Sequence, residues 1–165
     1  MDISTITEAF SDVTIQSPTV GVMLAGLLAV ALVFLSAFAS GSEIAFFSLS
    51  PSDVAELEDG KNPSDRKIQM LREDSERTLA TILITNNFVN VMIVMLLSNI
   101  FVSIVKFGPK AYWLEFLIMT VFLTFLLLLF GEIMPKVYCR QNPLRFCRRC
   151  VDAILFARKI FWPIE

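Results

Sequence analysis

Three groups of polar side chains stand inside stretches that are otherwise apolar. Ser36, Ser40 and Glu43 follow one another at i, i+4 and i+7, a spacing that puts them on one helix face. Asn86 and Asn90 are one turn apart, and Glu132 is followed one turn later by Lys136. Apart from Lys136, these side chains offer oxygen as the ligand atom. Oxygen-only sets suit hard cations such as Mg²⁺, Ca²⁺ or Na⁺. An uncompensated carboxylate in a bilayer costs at least ~2.5–3.5 kcal/mol on insertion scales, and a bound cation would offset that. Each group also has a plainer reading. Serine and asparagine in spans serve as interhelical hydrogen bonds worth roughly 0.6 kcal/mol each. Glu132 can pair with Lys136, and Glu43 can be solvated or pair with Arg77 or Lys136. The conjunction across three segments is more specific than any member of it.

The segments that must position these groups are visible in the charge pattern. The chain has 165 residues, of which 55% are hydrophobic and 18% charged, with a mean hydropathy of +0.66. Soluble domains carry about 25% charged residues. No charge occurs between Asp12 and Glu43, between Arg77 and Lys106, or between Glu115 and Glu132. A bilayer-spanning helix needs ~20 such residues. This describes a small integral membrane domain and excludes a soluble enzyme, a disordered segment and a disulfide scaffold. The absence of histidine excludes zinc peptidases of the HExxH kind and Ser-His-Asp hydrolases. No paired aspartates occur in the spans, so an intramembrane peptidase is excluded as well. A net charge of −2 without a basic aromatic stripe leaves no nucleic-acid partner. Cys139, Cys147 and Cys150 read as reduced thiols; Cys147-x-x-Cys150 alone is a weak signal for redox or metal chemistry.

The expected fold is an all-α membrane protein. An N-terminal tail, 1–18, precedes a membrane domain, 19–142, with spans over 19–48, 76–105 and 113–134. A juxtamembrane helical hairpin occupies 51–74. Its first helix carries a start signature, with Ser50 as cap, Pro51 at the first helical position and Asp53 closing a capping box. Gly60 should end that helix, Asn62-Pro63-Ser64-Asp65 starts the second, and Ser75 would cap the second span. Pro135 should break the third. A C-terminal amphipathic helix, 143–165, has Leu144, Cys147, Val151, Ile154, Leu155 and Phe161 on one face and is expected to lie on an anionic leaflet of the lipid bilayer. Lysine and arginine are absent from the tail and abundant in the hairpin and after residue 132. The positive-inside rule then places the N-terminus outside and the C-terminus in the cytoplasm of a multi-pass inner (plasma) membrane protein.

Three motifs in order carry a resemblance. They are Ser42-Glu43-Ile-Ala-Phe-Phe-Ser48, then Leu79-Ala-Thr-Ile-Leu-Ile-Thr85-Asn86-Asn87-Phe-Val-Asn90, then Phe130-Gly-Glu132-Ile-Met-Pro135-Lys136. The chain resembles the DUF21 membrane domain of the CorC / cyclin-M-like magnesium transport family over roughly residues 20–165. The resemblance implies three membrane helices with a juxtamembrane hairpin, a homodimer, and Mg²⁺ bound dehydrated by Ser, Asn and Glu side chains, with Na⁺ as coupling ion. At matching positions it implies the ligands Ser36, Ser40, Asn90 and Glu132, with Asn86 beside them; Glu43, Pro135 and Lys136 are candidate supporting positions. Family members continue into a pair of cytosolic CBS modules, absent from these 165 residues, which the resemblance implies as partners within a longer chain. A transporter domain makes and breaks no bond, so no enzymatic activity is expected. The competing expectation is a non-transporting dimeric membrane anchor, or a gliding-motility-associated membrane protein, that uses the charged hairpin and basic helix as docking surfaces.

Overall fold

The computed structural model describes residues 13–108 and 112–161. Most of the expected tail 1–18, the tip of the turn at 109–111 and residues 162–165 lie outside it. Three helical runs are long and apolar enough to cross a membrane. They are α1 (Val20–Phe47), α4 (Ser75–Ile104) and a continuous run over Tyr112–Cys139. The third run comprises α5 (Tyr112–Leu126), a π-helical stretch (Leu127–Ile133) and α6 (Met134–Cys139). Between α1 and α4 stands a hairpin of α2 (Pro51–Glu58) and α3 (Pro63–Glu73), and α7 (Pro143–Phe161) closes the chain.

The hairpin forms as its caps dictate. Ser50 Oγ accepts from Asp53 N at 3.2 Å while Ser50 N donates to Asp53 Oδ2 at 2.8 Å, a reciprocal capping box. Gly60, at φ +61°, turns the chain where a side chain would be strained. Asn62 N then donates to Asp65 Oδ2 at 3.0 Å to open α3. Ser75 does not cap α4 as expected. Asp74 holds the cap position without a side-chain cap bond, and Thr78 Oγ1 instead donates to the Leu71 carbonyl at 2.7 Å. That bond ties the start of the span back to the hairpin.

The third span does not stop at residue 134. A proline inside an α-helix loses one backbone bond and presses on the preceding turn. Here the turn before Pro135 is widened. Met134 N bonds to the Leu129 carbonyl, five residues back, so the π-helical register absorbs the ring and the helix runs on to Cys139. At the far end of the spans, a feature without sequence signal appears. β1 (Thr14–Ile15) pairs antiparallel with β2 (Val105–Lys106), and Gln16 N donates to the Ile104 carbonyl at 2.8 Å. This bridge pins the entry to α1 against the exit of α4.

The main core sits at the hairpin end. Leu57, Ile68 and Leu71 of the hairpin meet Phe46, Ile82, Val151 and Ile154. The face of α7 expected on lipid is therefore covered by the protein itself, because Leu144, Cys147, Val151 and Ile154 are all buried. Ion pairs hold it there. Arg148 reaches Asp65 Oδ1 at 2.8 Å and Glu56 Oε1 at 2.9 Å, Lys67 pairs with Asp152, and Arg158 pairs with Asp74. The bonded Arg148 guanidinium holds the buried Asp65 carboxyl below its ordinary value, against the opposing effect of burial. Cys139, Cys147 and Cys150 are buried free thiols; contact with Cys150, and then burial, push the Cys147 thiol up, while the same contact pulls the Cys150 thiol down.

Two predictions follow from this packing. Asp65→Asn leaves Arg148 short of its buried partner and should cost on the order of 3 kcal/mol, whereas Glu56→Gln at the exposed partner should cost under about 1 kcal/mol. Because the Asp65 carboxyl is depressed, its contribution is present above the ordinary value of 3.8 and lost as pH falls through the lowered one. Thermal unfolding in detergent should show the parent–variant gap constant from pH 8 to 5 and narrowing only in strong acid. The second concerns Gly41, where a Cβ would stand 2.6 Å from Cys139 Sγ and 3.2 Å from Phe146 Cζ. Gly41→Ala should cost about 1–3 kcal/mol by overpacking, while Gly26→Ala, with nothing within 4 Å of the new methyl, should cost nothing in the same assay.

Candidate functional site

α1 packs along α4, and the π-helical stretch and α6 lie against α1. Their polar groups converge where these helices meet. Ser36 Oγ donates to Asn90 Oδ1 at 2.6 Å and lies 3.2 Å from Asn86 Oδ1, which also receives Ser40 Oγ at 3.4 Å. Asn90 Nδ2 in turn donates to Glu132 Oε1 at 3.3 Å. Ser36 and Ser40 are fully buried and Asn86 nearly so. Asn90 and Glu132 are half-buried. All five residues singled out as ligands thus fall into one hydrogen-bonded cluster. Asn90 lies at the midpoint of α4, so its bond brings Glu132 level with the middle of that helix.

The behaviour of the other hydroxyls shows that this convergence is specific. Ser42, Ser48, Thr81, Thr85 and Ser103 each donate to the carbonyl four residues earlier in their own helix. That is the ordinary fate of a hydroxyl in an apolar helix. Ser36 and Ser40 instead donate to asparagines of a neighbouring helix. Asn87, the amide between the two site asparagines, faces outward.

Glu43 behaves differently from its spacing. It shares a face with Ser36 and Ser40 in sequence, yet its Oε2 lies 3.1 Å from Lys136 Nζ, as a half-buried ion pair between α1 and α6. This choice has an electrostatic consequence. Lys136 is the cation nearest to Glu132 in sequence, and it is spent on Glu43. Among the described residues Glu132 has no ion-pair partner, and its one hydrogen bond comes from a neutral amide. Around it, hydroxyl, amide and carboxylate oxygens outnumber the protons shared among them. Such a cluster carries excess lone pairs and one negative charge, which is what a hard cation requires. No group of three or more His, Cys, Asp or Glu forms a metal cluster among the described residues, so any ion held here rests on neutral oxygens around a single carboxylate. Pro135 follows just after the widened turn that carries Glu132.

One residue that matters here was missed among the candidate ligands. A Cβ at Gly131 would stand 3.1 Å from Ser36 Oγ. The glycine lets the π-helical stretch approach the serine closely, and its only sequence signal was its place beside Glu132.

Fold and site together define a three-span helical membrane domain with an oxygen-rich cluster buried between its spans. The profile of the family described as cyclin M transmembrane N-terminal domain matches residues 27–165, and this chain belongs to that family (CNNM, or DUF21). Three relatives illustrate the breadth of the similarity. A chloroplastic DUF21 domain-containing protein of Arabidopsis thaliana is 33% identical over 139 residues, covering 84% of this chain and 20% of its own. The protein named metal transporter cnnm-4 of Caenorhabditis elegans is 30% identical over 136 residues, covering 79% and 28%. A UPF0053 protein of Haemophilus influenzae is 30% identical over 130 residues, covering 79% and 30%. The chain spans less than a third of the length of these relatives.

The geometry predicts how the cluster tolerates change. Asn90→Ala removes the amide that joins Ser36 to Glu132, but Ser36 keeps Asn86 within reach, so the loss of stability should stay near 0.6–1.7 kcal/mol. Gly131→Ala should cost more, since the new methyl must displace the Ser36 hydroxyl from a packed contact. Unfolding of both variants in the same detergent checks the order.

Proposed function

We propose that this chain is the membrane domain of a divalent-cation transporter, with Mg²⁺ as cargo and Ser36, Ser40, Asn86, Asn90 and Glu132 as its ligands. The single observation that carries the reading is the Glu132 carboxylate, deprived of Lys136 by Glu43 and surrounded by neutral oxygens. Mg²⁺ demands near-octahedral oxygen at ~2.0–2.1 Å and sheds its water reluctantly; the five side chains carry six oxygens between them to take the place of that water. To receive the ion, Ser36 turns its proton away from Asn90, a hydroxyl rotation that costs little. The name of the Caenorhabditis elegans relative, a metal transporter, supports the class of cargo.

The charge balance bears on release. With a divalent ion the one carboxylate leaves the site at +1, and with Na⁺ it leaves the site neutral. In a low-dielectric setting an excess charge is costly, so Mg²⁺ is held less firmly than by a multi-carboxylate cage, and Na⁺ is a natural competitor. This supports Na⁺ as coupling ion. The reading includes a homodimer in the plasma membrane, with the hairpin on the cytoplasmic side as the basic loops imply. The outward Phe116, Phe122 and Phe125 of α5 offer an apolar surface for a second copy.

Binding measured by calorimetry or ion-dependent thermal shift, with Mg²⁺ set against Ca²⁺ and Na⁺, tests the assignment. Glu132→Gln keeps the shape and removes the charge, and should weaken Mg²⁺ binding at least tenfold. Ser36→Ala and Asn90→Ala should each weaken it less, and Glu58→Gln on the exposed hairpin should leave it unchanged. If Glu132→Gln binds Mg²⁺ as the parent does, the ion-site reading fails and the non-transporting anchor takes its place.

A further inference from the structure

We propose that the cleft between α1, α4 and α7 is a binding site for one anionic phospholipid, with its phosphate held by Arg145 and Arg149 and an acyl chain laid along Phe156 and Ile160 into the cleft. The cleft has a volume of about 400 Å³ and is walled by Leu32 and Leu35 of α1, Phe88 and Val89 of α4, and Phe156 and Ile160 of α7. That volume lies within the ~300–1,000 Å³ of small-molecule pockets. Its walls offer nothing to a polar ligand. The three hydroxyls that border it, Ser42, Thr81 and Thr85, each donate to the carbonyl four residues earlier in their own helix. Phe156 and Ile160 are nevertheless 67% and 54% exposed, so they lack a protein neighbour on that side.

The second observation is the charge at the other end of the same stripe. Residues 145, 149, 153, 156 and 160 recur at i, i+4, i+8, i+11 and i+15, one face of a helix. The first half of that face is Arg145 and Arg149, and the second half is Ala153, Phe156 and Ile160. The other arginines of α7 that meet carboxylates, Arg148 and Arg158, are bound to Glu56, Asp65 and Asp74. Arg145 and Arg149 are exposed and make no ion pair among the described residues. Arg149 and Phe156 are seven residues apart, about 10 Å along the axis, so a phosphate and a chain on one molecule fit the two halves. Free phosphate would use only the arginines.

A second copy of this chain is the other candidate occupant, and charge argues against it. Its spans carry no carboxylate between Asp12 and Glu43, between Arg77 and Lys106 or between Glu115 and Glu132; Glu43 is already paired and Glu132 is held by Asn90. It would fill the cleft but leave the arginines unmatched. Basic residues at a membrane surface attract anionic lipid additively.

Native mass spectrometry of the protein in mild detergent, with equimolar phosphatidylglycerol and phosphatidylcholine of identical chains, tests the site. One phosphatidylglycerol per chain should be retained, in preference to phosphatidylcholine by on the order of tenfold. The double variant Arg145→Gln/Arg149→Gln should lose that preference, while Lys159→Gln, off the stripe, should keep it. Ala157→Trp, which fills the cleft, should reduce retention of both lipids while the protein still unfolds cooperatively. Equal retention of the two lipids by the parent, or a preference unchanged in the double arginine variant, overturns the proposal. It is equally overturned if Ala157→Trp leaves lipid retention intact and converts dimers to monomers, which would make the cleft the seat of a second copy.

Discussion

The ion pair between Glu43 and Lys136 sets the terms for the rest of the domain. Two carboxylates and one lysine stand on α1 and the third helical run, and the lysine can neutralise only one acid. By taking Glu43 it leaves Glu132 without an ion-pair partner among the described residues, bonded only to a neutral amide. Had Lys136 turned back one helical turn onto Glu132, the Ser–Asn cluster would be ordinary interhelical bonding. As built, it is the immediate surrounding of an unbalanced charge.

Placing that carboxylate demands backbone as well as side chains. Glu132 lies in a π-helical stretch, and Gly131 beside it lets that stretch come within van der Waals reach of Ser36. Pro135, just beyond, removes a backbone donor that the wider register does not need. At the hairpin end, Gly41 permits the corner between α6 and α7 to close on α1, and the arginine and lysine pairs then clamp α7 to α2 and α3. The Ser–Asn–Glu cluster is thus held from one side by a packed, charge-locked module. Toward α5 it borders the exposed apolar side chains Phe116, Phe122 and Phe125.

The sequence made much of this legible, and the limits are physical. Charge gaps located the three spans because a bilayer tolerates few charges, and Ser50-Pro51-Ser52-Asp53 announced its helix because a capping box is a local device. Ser36, Ser40, Asn86 and Asn90 came together because a helical turn puts i and i+4 side by side. Glu43 parted from them because a long side chain follows the nearest charge, not its nominal face. The continuation past Pro135 was hidden since a π-helical turn has no composition of its own. The covered face of α7 was misassigned because an amphipathic pattern shows that a face is buried and not what buries it. The β1–β2 bridge was invisible, since two residues carry no periodicity. Gly131 stood inside the most specific motif, but only the approach of α1 shows why it has no side chain.

The central claim is that a hard cation sits among Ser36, Asn90 and Glu132. Mn²⁺ shares the preference of Mg²⁺ for octahedral oxygen and scatters anomalously, so diffraction from crystals grown with Mn²⁺ locates it directly. The account predicts one anomalous peak per chain within coordination distance of a Glu132 carboxylate oxygen, abolished by excess Mg²⁺. Peaks confined to the exposed acids of α2 and α3, with none beside Glu132, would contradict it.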